Sequence, residues 1–209
     1  MTQNNYEKMR DQIRPYFLTF DQEEMIRKFN LKHDDQYLYI RFCNRMYRIH
    51  RKNGIVEWSD NQFMTYTVGN YNESLTIYDI LCYSKPNCCL SGMYAPSSSL
   101  KGVGYTGMNA GSFSGTRNLE KYFNNHVKEL EQACLAFGGI PEGKGDLAYQ
   151  IPLFDFLPIR FAFWQADDEF PAEIQVLWDC NVLHYMHFET LFLAAGHLLH
   201  QMKEWIDEY

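Results

Sequence analysis

What this chain lacks narrows its class. The longest apolar run, Leu191–Gly196, falls far short of the ~20 residues that a membrane-spanning helix requires. The opening residues, MTQNNYEKMRDQ, are polar and charged, with none of the apolar core of a signal peptide, so a soluble cytoplasmic protein is expected. Basic residues are outnumbered, 19 against 26 acids, for a net charge of −7. That balance argues against a nucleic-acid-binding face, which needs clustered Lys and Arg. Only Arg41, Arg45, Arg48, Arg51 and Lys52 fall close enough together to suggest a local basic patch. The six cysteines (Cys43, Cys82, Cys88, Cys89, Cys134, Cys180) form no CxxC pair, which speaks against a zinc or iron–sulfur site built from these spacings. They read as reduced thiols, several of them buried. No HExxH, Walker A or GxSxG sequence occurs, and no motif requires a cofactor.

Aromatic residues are plentiful instead. Fifteen Tyr and fifteen Phe in 209 residues predict a dense core or an aromatic-lined pocket. Residues up to Phe29 read as largely helical, with a break at Pro15 and a capping-type Asp21–Glu24 pair. Gln36–Phe42, Met46–His50 and Ile55–Trp58 alternate apolar and polar residues and read as a small antiparallel meander turning at Lys52-Asn53-Gly54. Ser74–Tyr83 fits a short buried helix. From Lys85 to Gly115 the chain is rich in Gly, Ser, Pro and Asn, a long loop. An apolar stripe from Leu119 to Phe137 then predicts one continuous helix, stopped by Gly138-Gly139 and Pro141. Asp146–Pro152, Pro158–Ala166 and Ala172–Trp178 read as strands with links short enough for antiparallel neighbours. His187–Glu208 reads as a final amphipathic helix. The expected class is α+β: antiparallel sheet with helices packed on one face and a long Gly/Ser-rich loop before the central amphipathic helix. One domain, 1–209, is expected, with a subdivision into 1–70 and 71–209.

Three constellations offer chemistry. Asp167, Asp168 and Glu169 lie between two apolar runs; convergent carboxylates suit a hard cation or general acid work, and a solvated turn is the favoured reading, because acids are common in loops. In an extended segment Asp167 and Glu169 share a face, while Asp179, in a simple hairpin, lies about 20 Å away. His184 and His187 are three apart, as are His197 and His200, with Glu189 nearby. Asp167, Glu169, His184 and His187 are therefore the metal-ligand candidates, although His197 and His200 sit among Leu and Met as core histidines do. Gly102, Gly104 and Gly107 spell GxGxxG without the flanking strand and helix that give it meaning. Ser112, Ser114 and Thr116 precede the central helix, where capping or anion binding accounts for them.

The text GKGDLAYQIPLFDFLPIRFAFWQADDEFPAEIQVLWDCNVLHYMHFETLFLAAGHLL resembles the DUF3786 family, a prokaryotic domain of unknown function. The matching positions are Gly145, Asp146, Pro158, Trp164, Asp167, Asp168, Glu169, Phe170, Pro171, Asp179, Tyr185 and Glu189. LTIYDILCYSK and LSGMYAPSSSLKGV match more loosely, Tyr94 standing where a Trp is usual. The resemblance spans Ser74 to Met202. It implies an accessory role in anaerobic redox or one-carbon metabolism, with a small-molecule or an iron–sulfur or corrinoid protein partner, and it supplies no established reaction.

The function expected is that of an accessory protein binding a small ligand or partner. Its site would lie at the acidic-turn end of the C-terminal sheet, built from Trp164, Asp167, Asp168 and Glu169 with Tyr94 or Tyr105 from the long loop. The alternatives are a metal-dependent hydrolase using the acidic turn and a purely structural or interaction domain. No nucleophile–base pair marks the chain as an enzyme.

Overall fold

The computed structural model describes residues 5–101 and 117–208. Two helices lead, α1 (Asn5–Phe17) and α2 (Gln22–Phe29). Pro15 is accommodated inside α1, which ends two residues beyond it, so no break occurs there. Asp21 caps α2 by accepting the Glu23 and Glu24 amide hydrogens, and Asn30 closes it in the left-handed region at φ 49°. The strands β1 (Lys32–His33), β2 (Tyr37–Phe42), β3 (Arg45–His50), β4 (Val56–Ser59) and β5 (Thr67–Val68) form the meander. Helix α3 (Tyr71–Tyr83) follows, entered through a reciprocal capping box between Asn70 and Glu73.

The stretch after Lys85 contains a short strand, β6 (Tyr94–Pro96). The predicted central helix is two: α4 (Arg117–Asn124) and α5 (Val127–Ala136), separated at His126, whose φ of −134° is not helical. Apolar periodicity continues across this kink, which is why the stripe read as one helix. β7 (Ile140–Pro141), β8 (Leu147–Phe154), β9 (Leu157–Trp164), β10 (Glu173–Asp179) and α6 (Phe188–Glu208) complete the chain.

Among the described residues all strands join one antiparallel sheet, in the order β5-β4-β3-β2-β8-β9-β10-β6, with β1 beside β2 and β7 beside β8. Alternation places Leu38, Ile40, Tyr47, Ile49, Ile151, Ile159, Phe161, Phe163 and Trp178 in the core beneath the helices. Two half-sheets meet at β2 and β8 through a single residue pair, Phe42 with Phe154, supplemented by the Cys43 amide donating to Leu153 O at 2.9 Å. Cys43 and Asn44 both take positive φ, 47° and 63°, as a tight hairpin turn demands. Side chains make up for the thin seam. His197, Phe42, Phe154, Phe156 and Tyr185 stack in series with interplanar angles of 22°, 14°, 12° and 13°, and Phe29 joins at Phe156, 4.2 Å between centroids.

No helix among the described residues is long and apolar enough to cross a membrane. The expected basic patch is largely neutralised within the fold. Arg45 faces Glu73 and Asp60, Arg48 pairs with Glu57 at 2.7 Å, and Arg51 pairs with Glu23 at 2.5 Å. Phe154→Ala removes the middle of the aromatic stack and is expected to cost about 3–5 kcal/mol in urea unfolding; Phe156→Ala, at a half-buried position, is expected to cost less.

Candidate functional site

The acidic residues singled out in the sequence occupy an exposed turn between β9 and β10. Asp167 Oδ1 accepts the amide hydrogens of Glu169 (2.8 Å) and Phe170 (2.7 Å), and the Asp167 amide donates to Phe170 O. These bonds hold its carboxyl below the usual range. Asp168, Glu169 and Phe170 point to solvent, and Trp164 is half-buried at the last position of β9, opposite Glu173. Tyr94 lies at the other end of β10, paired with Asp179. It stacks on the Arg160 guanidinium (4.2 Å) and donates to Gln150 Oε1 (3.3 Å). The fold therefore gathers Trp164 with the acids and sets Tyr94 apart from them, since six residues of extended strand span about 20 Å. Tyr105, the glycines at 102, 104 and 107, and Ser112, Ser114 and Thr116 lie outside the described residues. An open groove of about 390 Å³ does sit at the acidic-turn end of the sheet, but Glu131, Glu142, Gly145, Asp146 and Tyr149 are among its lining residues and Trp164 and Asp167–Glu169 are not.

Asp179, placed by the sequence at the far end of its strand, is completely buried. Its Oδ1 accepts from the Ser91 amide and hydroxyl and the Asn181 amide, and its Oδ2 from the Gly92 amide at 2.8 Å. Four donors engage the buried carboxylate, three on Oδ1 and one on Oδ2, so it anchors the loop ahead of β6.

The arrangement with chemistry to offer joins α3 to the start of α6. Asp79, 7% exposed in its side chain, accepts the His187 amide hydrogen on Oδ2 at 2.8 Å and approaches His187 Nδ1 with Oδ1 at 2.5 Å. A carboxylate only accepts, so Nδ1 carries the hydrogen, and in the neutral imidazole Nε2 is the nitrogen left with the lone pair. The His187 side chain is 60% exposed. Tyr83, one turn along α3, sets its ring edge-on to the imidazole at 5.2 Å, and Phe20 packs on Tyr83 likewise. Beside this pair, burial pushes the Cys82 thiol up to about 12, with Asp79 adding to the effect, which favours the protonated thiol. Lys28 donates to Ser84 O (2.9 Å) and Oγ (3.2 Å), closing the C-terminus of α3.

Deeper along the same two helices lies a second carboxylate–imidazole contact. Glu73 Oε1 accepts from Tyr47 Oη at 2.7 Å and stands 3.7 Å from His197 Nε2 and 3.6 Å from an Arg45 nitrogen. Its Oε2 accepts the Asn70 amide hydrogen at 2.6 Å. Tyr47 Oη and His197 Nε2 are 3.3 Å apart. Burial, then the charges of Arg45 and His200, push His197 down to about 3. The Glu73–His197 contact is thus a neutral imidazole near an acid, held through Tyr47, and distance alone would misread it as an ion pair. Burial and Glu73 push the Tyr47 phenol well up.

Of the histidines named from sequence, His187 is the one whose ring nitrogen lies within hydrogen-bond reach of a buried carboxylate. His184 is half-buried, with its backbone amide donating to Asn181 O and its carbonyl accepting from the Lys85 amide. His200 Nδ1 engages Gly196 O. Glu189 is exposed. Among the described residues no three His, Cys, Asp or Glu converge as metal ligands. Sequence reasoning passed over Asp79 and Glu73. A signal existed for the first: an aspartate inside the apolar run LTIYDILCY needs a buried partner.

A family model described as a domain of unknown function, DUF3786, matches residues 21–201. No curated protein and no solved structure matches the chain.

Because His197 is neutral in the fold and takes up a proton near 6.5 when unfolded, its contribution is complete above pH 6.5 and is lost as pH falls toward 3. Thermal or urea unfolding between pH 7 and pH 5 is expected to show a loss of about 2 kcal/mol, with the slope flattened in His197→Gln.

Proposed function

This chain belongs to the DUF3786 family, and we propose that it is an accessory protein binding a small ligand or partner through the Asp79-backed imidazole of His187. The observation carrying this reading is the pairing of a buried carboxylate with an exposed ring. Asp79 holds the ring by Nδ1, so in the neutral imidazole Nε2 is the nitrogen able to serve as a ligand or a base. Capping of α6 would need only the bond from the His187 amide to Oδ2; the second bond, to the ring, adds nothing to the cap.

The family resemblance extends the proposal to anaerobic redox or one-carbon metabolism and to an iron–sulfur or corrinoid protein as partner. Six free cysteines suit a reducing compartment, so the proposed setting is the cytoplasm. The metal-hydrolase alternative is less well supported. Asp167 is engaged by its own turn, and hydrolysis through the acidic turn would need further donors that the described residues do not bring together.

Native mass spectrometry of untagged protein purified without oxygen tests the reading. A bound mass is expected that is absent from His187→Ala and retained in Asp167→Asn and Trp164→Ala. Loss in the latter two with retention in His187→Ala would move the site to the acidic turn, and a clean apo mass throughout would overturn the small-ligand reading.

A further inference from the structure

Helices α3 and α6 are linked at two places where an acid lies near an imidazole, directly at Asp79–His187 and through the Tyr47 hydroxyl at Glu73–His197. Glu73, at the start of α3, meets His197 well along α6, and Asp79, further along α3, meets His187 at the head of α6. The order of the pairs means that the helices run in opposite senses. The two links differ in exposure: side chains are 6% and 2% exposed at the inner pair, against 60% for His187 at the outer one. Only the inner pair is tied to the sheet, through the Tyr47 hydroxyl and the Arg45 guanidinium of β3.

Burial of apolar area has no direction, whereas hydrogen bonds lose strength steeply with small displacements. Asp79 needs both oxygens on His187, one on the backbone and one on the ring, so the outer pair tolerates little sliding.

We propose that Tyr47, Glu73 and His197 are positioning residues for the His187 site: they set the register of α3 against α6 at which Asp79 meets the imidazole. This rests on the reading of His187 as the contact group. The inner cluster lies in the core and touches no ligand at His187; it acts through the two helices.

Long-range nitrogen NMR of the histidine side chains tests the coupling, because it reports which ring nitrogen of His187 carries hydrogen. Wild-type protein is expected to show the Nδ1–H form at His187. Tyr47→Phe, which deletes one hydroxyl, and His197→Gln are expected to lose that single form while remaining folded. Ile159→Ala, a cavity in β9 far from the cluster in sequence, serves as the control for lowered stability and is expected to keep it. Retention of the Nδ1–H form in folded Tyr47→Phe and His197→Gln, or equal loss in Ile159→Ala, would overturn the proposal. If His197→Gln fails to fold, Tyr47→Phe decides alone. A wild-type protein without the Nδ1–H form would instead sink the His187 reading itself.

Discussion

The buried carboxylate of Glu73 is the constraint from which the helical layer takes its position. An acid that is 2% exposed must have its oxygens satisfied, since an unpaired buried charge or polar group costs several kcal/mol. Glu73 meets that demand with groups from separate parts of the chain: the Tyr47 hydroxyl from β3, the Asn70 amide at the entry to its own helix, and the nearby Arg45 guanidinium. Arg45 is itself pressed onto Trp58 of β4, 3.6 Å from the ring centroid. A capping box, normally a local device of about 1 kcal/mol, here also fastens a helix to a sheet.

Carboxylates across the molecule are used in the same way. Asp21, Asp34, Asp79, Asp146, Asp167 and Asp179 each accept at least one backbone amide hydrogen. They serve as caps and turn clasps, sites where an acid replaces a missing backbone acceptor. The net charge of −7 therefore reports in part on how the loops are held. The basic residues close to one another in sequence are similarly spent on internal partners, and Arg48 is packed against Tyr37, Phe63 and Tyr66 as well as paired with Glu57.

Local pattern made most of the fold legible. Period-two alternation located β2, β3, β8, β9 and β10 within a few residues, because each of these strands buries one face. What escaped depends on partners distant in sequence. β6 is three residues long and exists because β10 offers it an edge. The kink at His126 leaves hydrophobic spacing intact and so is silent to a periodicity argument. At the candidate site the imidazole was legible as one of several histidines, while its carboxylate lies 108 residues away in sequence and could be found only in space. Asp167–Glu169 stood out as three adjacent acids, and the fold devotes the first of them to the turn itself.

The seam at Phe42 and Phe154 has a consequence for how the molecule assembles. Apart from β6, each half-sheet closes through neighbours near in sequence, β2 to β3 to β4 on one side and β8 to β9 to β10 on the other. Contacts of this kind form early, because little chain entropy is lost in making them. Joining the halves requires a loop of roughly 110 residues to close on one backbone pair, a step whose cost the local contacts do not share. The stacked rings supply the reward for that closure, so the aromatic column is the latch that holds the two ribbons together as one sheet.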